Sequence, residues 1–417
     1  MKQRILLLLI SCLILTLAAC GERQADMPSE PESVTTEEIA EPEQPKYLPE
    51  TAEEAHAAAD AGQKDEEKRT AELEARLRTV VEGMTLEEKV GQLFFVRCPR
   101  SQASDKIAKY HLGGLLLFTR DYKDNDDNWL TAEQMTGKLQ AFQLTAELDT
   151  GIHLFIGSDE EGGEVTRASR NPNLFPSRSK SPQELYNSGG IGEVLNDAAQ
   201  KNDLLKKYGI NVNFAPVVDV STDPDDFIYS RSLGRNAAET MAYAAGVVSV
   251  MNDEGVGAVL KHFPGYGNNA DTHTGVAIDE RPLEWFEKSD LVPFLAGIRA
   301  DAPFVLVSHN IVKCMDENLP ASLSPAVHRV LRDMGFDGVA LTDDLSMQAV
   351  SAYAADGSVA VMALKAGNDM VVTEDFETQI PLVIQAVRDG TLDEGVIDAA
   401  CLRVLKIKYK LGLLKLG

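Results

Sequence analysis

The run GAVLKHFPGYG, residues 257–267, decides the fold. Ala258, Val259 and Leu260 form a short apolar stretch, Lys261 and His262 end it, and Pro264, Gly265 and Gly267 stop any helix or strand from continuing. An apolar run of this length bounded by turn residues reads as a buried strand. Its ionisable pair then sits where strand becomes loop, the usual place for functional groups.

Seven other runs share this design: 93–96, 113–118, 154–160, 212–219, 304–310, 338–344 and 369–373. Amphipathic stretches long enough for helices, such as 237–255 and 284–300, separate most of them. Apolar runs alternating with helical patterns indicate parallel βαβ units. Eight of them close a (β/α)8 TIM barrel, with a final helix near 394–412; a doubly wound open sheet is the competing arrangement. Polar residues gather at the ends of the runs, as Asp159 and Glu160, Asp219, Lys261 and His262, His309 and Asn310, and Asp343 and Asp344. In a barrel these ends open onto one face, where active sites form.

Outside the barrel the composition changes. Residues 1–20, MKQRILLLLISCLILTLAAC, have a basic start, an apolar run and small residues before a cysteine, the pattern of an export signal. The segment LAAC resembles the lipobox of bacterial lipoproteins, which implies cleavage after residue 19 and lipid on Cys20. That resemblance makes the membrane a partner and the location extracytoplasmic. Residues 21–70 hold fifteen acidic and five basic side chains with few aromatic or β-branched residues. A segment so polar buries too little apolar surface to offset its ordering entropy, so 20–70 is expected to be a disordered acidic tether and 71–417 the single folded domain. The formal charge of −25 excludes nucleic acid as a natural partner. No obligate protein partner is evident. Cys98, Cys314 and Cys401 have no metal-ligand spacing and an odd count, and read as structural.

Ahead of the first run, Leu73, Leu77, Val80, Val81 and Met84 recur at helical spacing, and Thr85 with Glu88 reads as a capping box opening a second helix.

The motifs MTLEEKVGQL, GGLLLF, SDEEGG, KHFPGYG followed by DTH, LPASLSP and GFDGVALTDDLSM, in this order from about Met84 onward, resemble the family 3 glycoside hydrolases. Within that family the match is to the β-N-acetylhexosaminidase branch, which releases terminal β-linked N-acetylglucosamine from cell-wall fragments. The resemblance implies a carbohydrate substrate, no cofactor or metal, and a retaining mechanism through a covalent glycosyl-enzyme. It implies Asp343 as nucleophile and His273, held by Asp271, as acid/base. Sugar binding falls by the same resemblance to Asp159, Arg167, Arg231, Lys261 and His262.

The chemistry is consistent with those roles. A retaining glycosidase needs one carboxylate to attack C1 and a second group that protonates the leaving oxygen and later deprotonates water. Histidine titrates near neutrality and can do both, with a nearby carboxylate fixing its tautomer. Its Gly-rich loop would let the pair swing over bound sugar. Strand parity alone does not choose between Asp343 and Asp344, either of which can also cap a helix. Tyr266 and Glu164 depart from the family pattern, which commonly has histidine and arginine there, and the stretch before the Asp-x-His is one residue shorter. With the barrel reaching almost to residue 417, the chain is expected to lack the second domain of many relatives. A β-glucosidase, a phosphorylase using the same covalent intermediate, and a non-catalytic sugar-binding lipoprotein are the alternative functions.

Overall fold

The structure is a computed structural model that describes residues 52–416 apart from 270–274, 276, 352 and 354–357. The signal segment, Cys20 and the first part of the tether lie outside the described residues, as do Asp271 and His273.

Each of the eight apolar runs supplies one barrel strand: β1 (Phe94–Arg97), β2 (Gly114–Leu117), β3 (Phe155–Ser158), β4 (Val212–Asn213), β5 (Gly257–Phe263), β6 (Phe304–Val307), β7 (Val339–Asp344) and β8 (Met370–Thr373). All pair in parallel, each with its neighbours in sequence, and β8 returns to β1 through Phe94 opposite Val371, which closes the barrel. The open-sheet alternative is thereby excluded. Strands buried on both faces need continuous apolar sequence, and β2, β3, β6 and β8 are buried throughout.

The barrel interior is packed with aromatic rings. Phe95 lies 5.1 Å from Phe214 and Phe155 lies 5.2 Å from Phe304, both edge to face. Gly157 is the position that admits them, since a Cβ there would stand 2.7 Å from both Phe214 and Phe95. Fully burying one such side chain contributes about 1.5–3 kcal/mol.

β4 is shorter than the apolar run 212–219 suggested. Pro216 has no N–H to give a sheet ladder. The chain still follows β5 beyond it, through a parallel bridge between Val217 and Lys261 and a hydrogen bond from Val218 N to Lys261 O of 2.8 Å. Asp219 is thus carried to the rim beside His262.

Helices Ala132–Thr150, Pro182–Lys207, Ala237–Glu254 and Leu291–Arg299 are among those connecting the strands, and Glu394–Lys410 is the closing helix. The capping box is present: Thr85 N donates to Glu88 Oε2 at 2.7 Å and Glu88 N to Thr85 Oγ1 at 3.2 Å, opening helix Leu86–Gln92. Leu77 and Val81 are buried, as their spacing required.

The tether differs from expectation at its C-terminal end. Helix Ala52–Gly83 runs through the boundary expected at residue 71. Ala, Glu, Lys and Gln dominate residues 52–70, and such residues favour helix without an apolar face to bury. Residue propensity, rather than burial, governs a helix of this composition. Cys98, Cys314 and Cys401 are free thiols; burial pushes Cys98 and Cys401 up to about 12, which leaves them unreactive.

Candidate active site

The C-terminal rim holds one cavity whose lining includes Asp159, Arg167, Arg231, Lys261, His262, Asp343 and Asp344. These residues come from the ends of β3, β5 and β7 and from the loops after β3 and β4, so residues far apart in sequence share one mouth.

Lys261 is its electrostatic centre. It is 2% exposed, with Nζ 2.9 Å from Asp159 Oδ1 and 2.6 Å from Glu161 Oε1. Burial opposes its charge, but the two carboxylates outweigh burial and raise its pKa. Glu161 has a second cation: Arg231 donates to it through Nε at 3.0 Å and Nη2 at 2.7 Å. This fork fits the planar guanidinium. Burial would push the Glu161 carboxyl up, yet Arg231 and Lys261 together hold it well below the usual range. Arg167 lies 3.8 Å from Asp159 Oδ2.

His262 is oriented from both sides. Its Nε2 lies 3.2 Å from Arg231 Nη2 and its Nδ1 2.8 Å from Asp219 Oδ2. Guanidinium nitrogens only donate, so Nε2 accepts and Nδ1–H donates to Asp219. Asp219 also accepts from the backbone N–H of His262 at 3.1 Å and of Tyr266 at 2.7 Å. One buried carboxylate therefore fixes a ring, a tautomer and the start of the loop.

Beneath this layer Glu160 is fully buried and accepts from the backbone N–H of Arg167 at 2.9 Å and of Ala168 at 2.8 Å. It folds the loop after β3 back on itself and so delivers Arg167 to the pocket.

Asp343 and Asp344 are not equivalent. Asp344 pairs with Arg97 at 2.5 Å and accepts from Ser346 N at 2.9 Å, while Asp343 accepts the N–H of Asp344 at 2.8 Å and lines the cavity half-buried. The backbone at this point is held by His309, whose Nε2–H donates to the carbonyl of Asp344 at 3.1 Å while Nδ1 accepts from Ser322 Oγ at 2.7 Å. A carbonyl only accepts, which fixes this tautomer as well.

All five residues expected to bind sugar line the cavity together with Asp343; Asp271 and His273 lie outside the described residues. The sequence places Asp219 and His309 among the strand ends of the active face without a role, and Glu161 and Arg97 are not singled out there at all. Glu161 was legible in the acidic run of SDEEGG and Asp219 at its strand end, but the pairing of Arg97 with Asp344 spans most of the chain and leaves no local trace. Tyr266 is 2% exposed and packs its ring 5.6 Å from that of His262, so its side chain supports the pocket wall. Glu164 is exposed, with its carboxylate 3.4 Å from Ser230 Oγ. Among the described residues no group of His, Cys, Asp and Glu side chains is arranged to hold a metal ion.

A parallel barrel with a charged, carboxylate-lined pocket at its strand ends defines a (β/α)8 enzyme. Residues 85–407 match the Glycosyl hydrolase family 3 N terminal domain, and the chain belongs to that family and is a glycoside hydrolase. It is similar to Beta-hexosaminidase LpqI of Mycobacterium tuberculosis, with 33% identity over 337 residues covering 77% of this chain and 82% of the relative. A solved structure of M tuberculosis LpqI superposes with a TM-score of 0.67 at 32% identity, covering 78% of this chain and 94% of the other. A glycoside hydrolase family 3 beta-N-acetylglucosaminidase from Paenibacillus sp. str. FPU-7 gives a TM-score of 0.73 at 29% identity over 79% of this chain, which spans 63% of that structure.

Proposed function

We propose that this glycoside hydrolase is a retaining exo-β-N-acetylhexosaminidase acting on terminal β-linked N-acetylglucosamine of peptidoglycan fragments or related glycans. The observation that carries the reading is that Asp343 shares one cavity with Asp159, Arg167, Arg231, Lys261 and His262. The β-hexosaminidase and β-N-acetylglucosaminidase names of the similar proteins support the sugar.

In this reading the five polar residues grip the terminal sugar, and Asp343 attacks C1 while His273, oriented by Asp271, gives its proton to the departing glycosidic oxygen. The neutral imidazole then takes a proton from water as that water attacks C1, and Asp343 leaves as carboxylate. Asp344 suits the nucleophile's role less well, because Arg97 and the Ser346 amide already engage its two oxygens. Export on a lipidated Cys20, with the acidic segment as spacer, would set this chemistry outside the cytoplasm on a membrane surface.

Incubation with an activated N-acetylglucosaminide followed by mass spectrometry of the peptide containing Asp343 tests the mechanism, the expected result being one sugar on that residue. Folded protein that neither turns over nor becomes labelled between about pH 5 and 8 would overturn it. Turnover in phosphate-free against phosphate-containing buffer separates hydrolysis from phosphorolysis. Loss of fatty-acid labelling in Cys20→Ser tests the anchor.

A further inference from the structure

A second polar cluster stands behind the pocket and takes no part in lining it. Its centre is Arg281, which packs its guanidinium over the Phe286 ring at 4.5 Å. Arg281 donates to Asp279 through Nε at 3.0 Å and Nη2 at 2.7 Å, and to Asp290 Oδ1 through Nη1 at 3.0 Å. Both carboxylates are almost fully buried. Breaking a buried ion pair of this kind leaves an uncompensated charge, so the three side chains act as a unit.

What the cluster joins is specific. On one side it meets the chain leaving β5. Asn269 Nδ2 donates to Asp279 Oδ2 at 2.7 Å and to Tyr266 O at 2.7 Å, and Arg281 Nη2 reaches Gly265 O at 3.4 Å. The backbone presses directly on the cluster. A Cβ at Gly265, whose φ is +126°, would stand 2.5 Å from Asp290 Cβ, and one at Gly267, whose φ is +56°, would stand 2.3 Å from Arg281 Cζ. Only glycine fits either place. On the other side lies the returning chain. Ile278–Asp279 pairs with Ile311–Val312, the Ile311 N–H donating to Ala277 O at 2.9 Å and the Lys313 N–H to Asp279 O at 3.0 Å.

The outgoing stem ending at Asn269 and the returning stem starting at Ala277 are thus fastened to each other and to the loop after β6. Between them run Asp271 and His273. The outgoing stem is also tied to the pocket, because Tyr266 N donates to the Asp219 that orients His262.

We propose that Arg281, with Asp279, Asp290 and Asn269, is a positioning residue for the acid/base step: the cluster fixes both ends of the segment that presents His273 to the leaving-group oxygen. The inference rests on the reading of His273 given above. Small misplacement of a proton donor is costly in rate, and general acid catalysis supplies about 10²–10⁴-fold.

The leaving group separates this role from a merely structural one. A 2,4-dinitrophenolate departs without protonation, whereas an alkoxide does not. kcat/KM reports formation of the glycosyl-enzyme, so misplacing His273 lowers it for an alkyl β-N-acetylglucosaminide and spares it for the dinitrophenyl glycoside. Deglycosylation still needs the base, so kcat and KM for the dinitrophenyl substrate fall together. For Arg281→Lys the expected loss in kcat/KM is at least about tenfold on the alkyl glycoside and under about threefold on the activated one. Asn269→Ala, which removes the bonds to Asp279 Oδ2 and Tyr266 O and leaves the Arg281 ion pairs in place, gives the same pattern in weaker form and keeps the proposal testable should Arg281→Lys not fold. Equal losses on both substrates in both variants, or no loss in either, would overturn it. His273→Ala serves as reference. If it lacks the leaving-group dependence, the acid/base reading itself fails; if it shows the dependence and the cluster variants do not, only the positioning role fails.

Discussion

Lys261 and Lys408 are buried to a similar degree at opposite ends of the barrel, and their environments drive them in opposite directions. Lys261, at the C-terminal end of β5, has two carboxylates within 2.9 Å and a raised pKa. Lys408, in helix Glu394–Lys410, donates to Gln92 Oε1 at 2.6 Å and to His153 O at 2.7 Å, and burial pushes it down to about 7. Gln92 and His153 precede β1 and β3, which places Lys408 at the N-terminal end of the barrel. Desolvation is common to both lysines; opposite charge is supplied only at the rim. The difference divides these two buried sites as the barrel's architecture suggests, with paired charge around Lys261 at the C-terminal rim for chemistry and neutral hydrogen bonds around Lys408 at the other end for stability.

The sharpest way to break that division is at Asp343. Asp343→Ala is expected to lower kcat/KM by about 10³-fold or more while changing the melting temperature little, because the side chain is half-buried and a hydrogen bond such as the one it accepts from Asp344 N contributes only about 0.5–1.5 kcal/mol. Steady-state kinetics beside a thermal melt checks it. A large fall in melting temperature with modest loss of activity would assign Asp343 to the fold instead.

Lys261→Met should affect both properties. Asp159 and Glu161 lose the cation they share, Glu161 retaining only Arg231 among the two. Unpairing buried charge costs about 3–5 kcal/mol, and on the proposed sugar-binding role of Lys261 the loss of a charged hydrogen bond, worth about 1.5–3 kcal/mol, raises KM at least about tenfold. Denaturant unfolding and substrate titration measure the two terms separately.

At the other end, Lys408→Met should leave kcat/KM intact and change only how stability depends on pH. Folded Lys408 gives up its proton near 7 against an ordinary value of 10.5. Between those values the unfolded chain holds more protons, so this group makes stability rise with pH. Lys261 acts with the opposite sign: its raised pKa adds stability below its unfolded value, and that stability is lost as pH climbs through the folded one. Removing Lys408 should flatten the rise between about pH 7 and 10 by on the order of 1 kcal/mol or more. Unfolding free energies of both proteins across that range decide it, and parallel curves would refute the comparison.

The same two lysines mark what was legible in the sequence. Lys261 could be placed at the rim because it ends an apolar run followed by Pro and Gly, and local pattern is enough to find a strand end. Lys408 stands in KIKYK, where it looks like an ordinary solvated helix residue; its burial is set by Gln92 and His153, more than two hundred residues away. The strand ends, and with them most of the cavity lining, follow local rules. Arg97 with Asp344, and Arg231 with Glu161, do not, because a salt bridge across a barrel depends on closure and register. Helix formation over 52–70 is local too, but it follows residue propensity, whereas the expected disorder of this stretch rests on its lack of apolar surface.

The smallest effect is expected at Glu164, where the chain departs from its family's usual arginine. The structural work of this residue is done by its backbone, whose carbonyl accepts from Arg170 Nη2 at 3.1 Å and from Arg178 Nη2 at 3.0 Å. Any residue supplies that carbonyl. The carboxylate adds only an exposed contact of 3.4 Å to Ser230, at the weak end of hydrogen bonding. Glu164→Arg should therefore shift stability by less than about 0.5 kcal/mol. Ser230 adjoins Arg231, so the exchange tests how far the rim's charge requirement extends. A kcat/KM within about threefold of the parent on an N-acetylglucosaminide would confine that requirement to the buried pairs around Lys261, whereas a gain beyond about tenfold, more than a surface pair contributes, would mean that position 164 reaches the substrate.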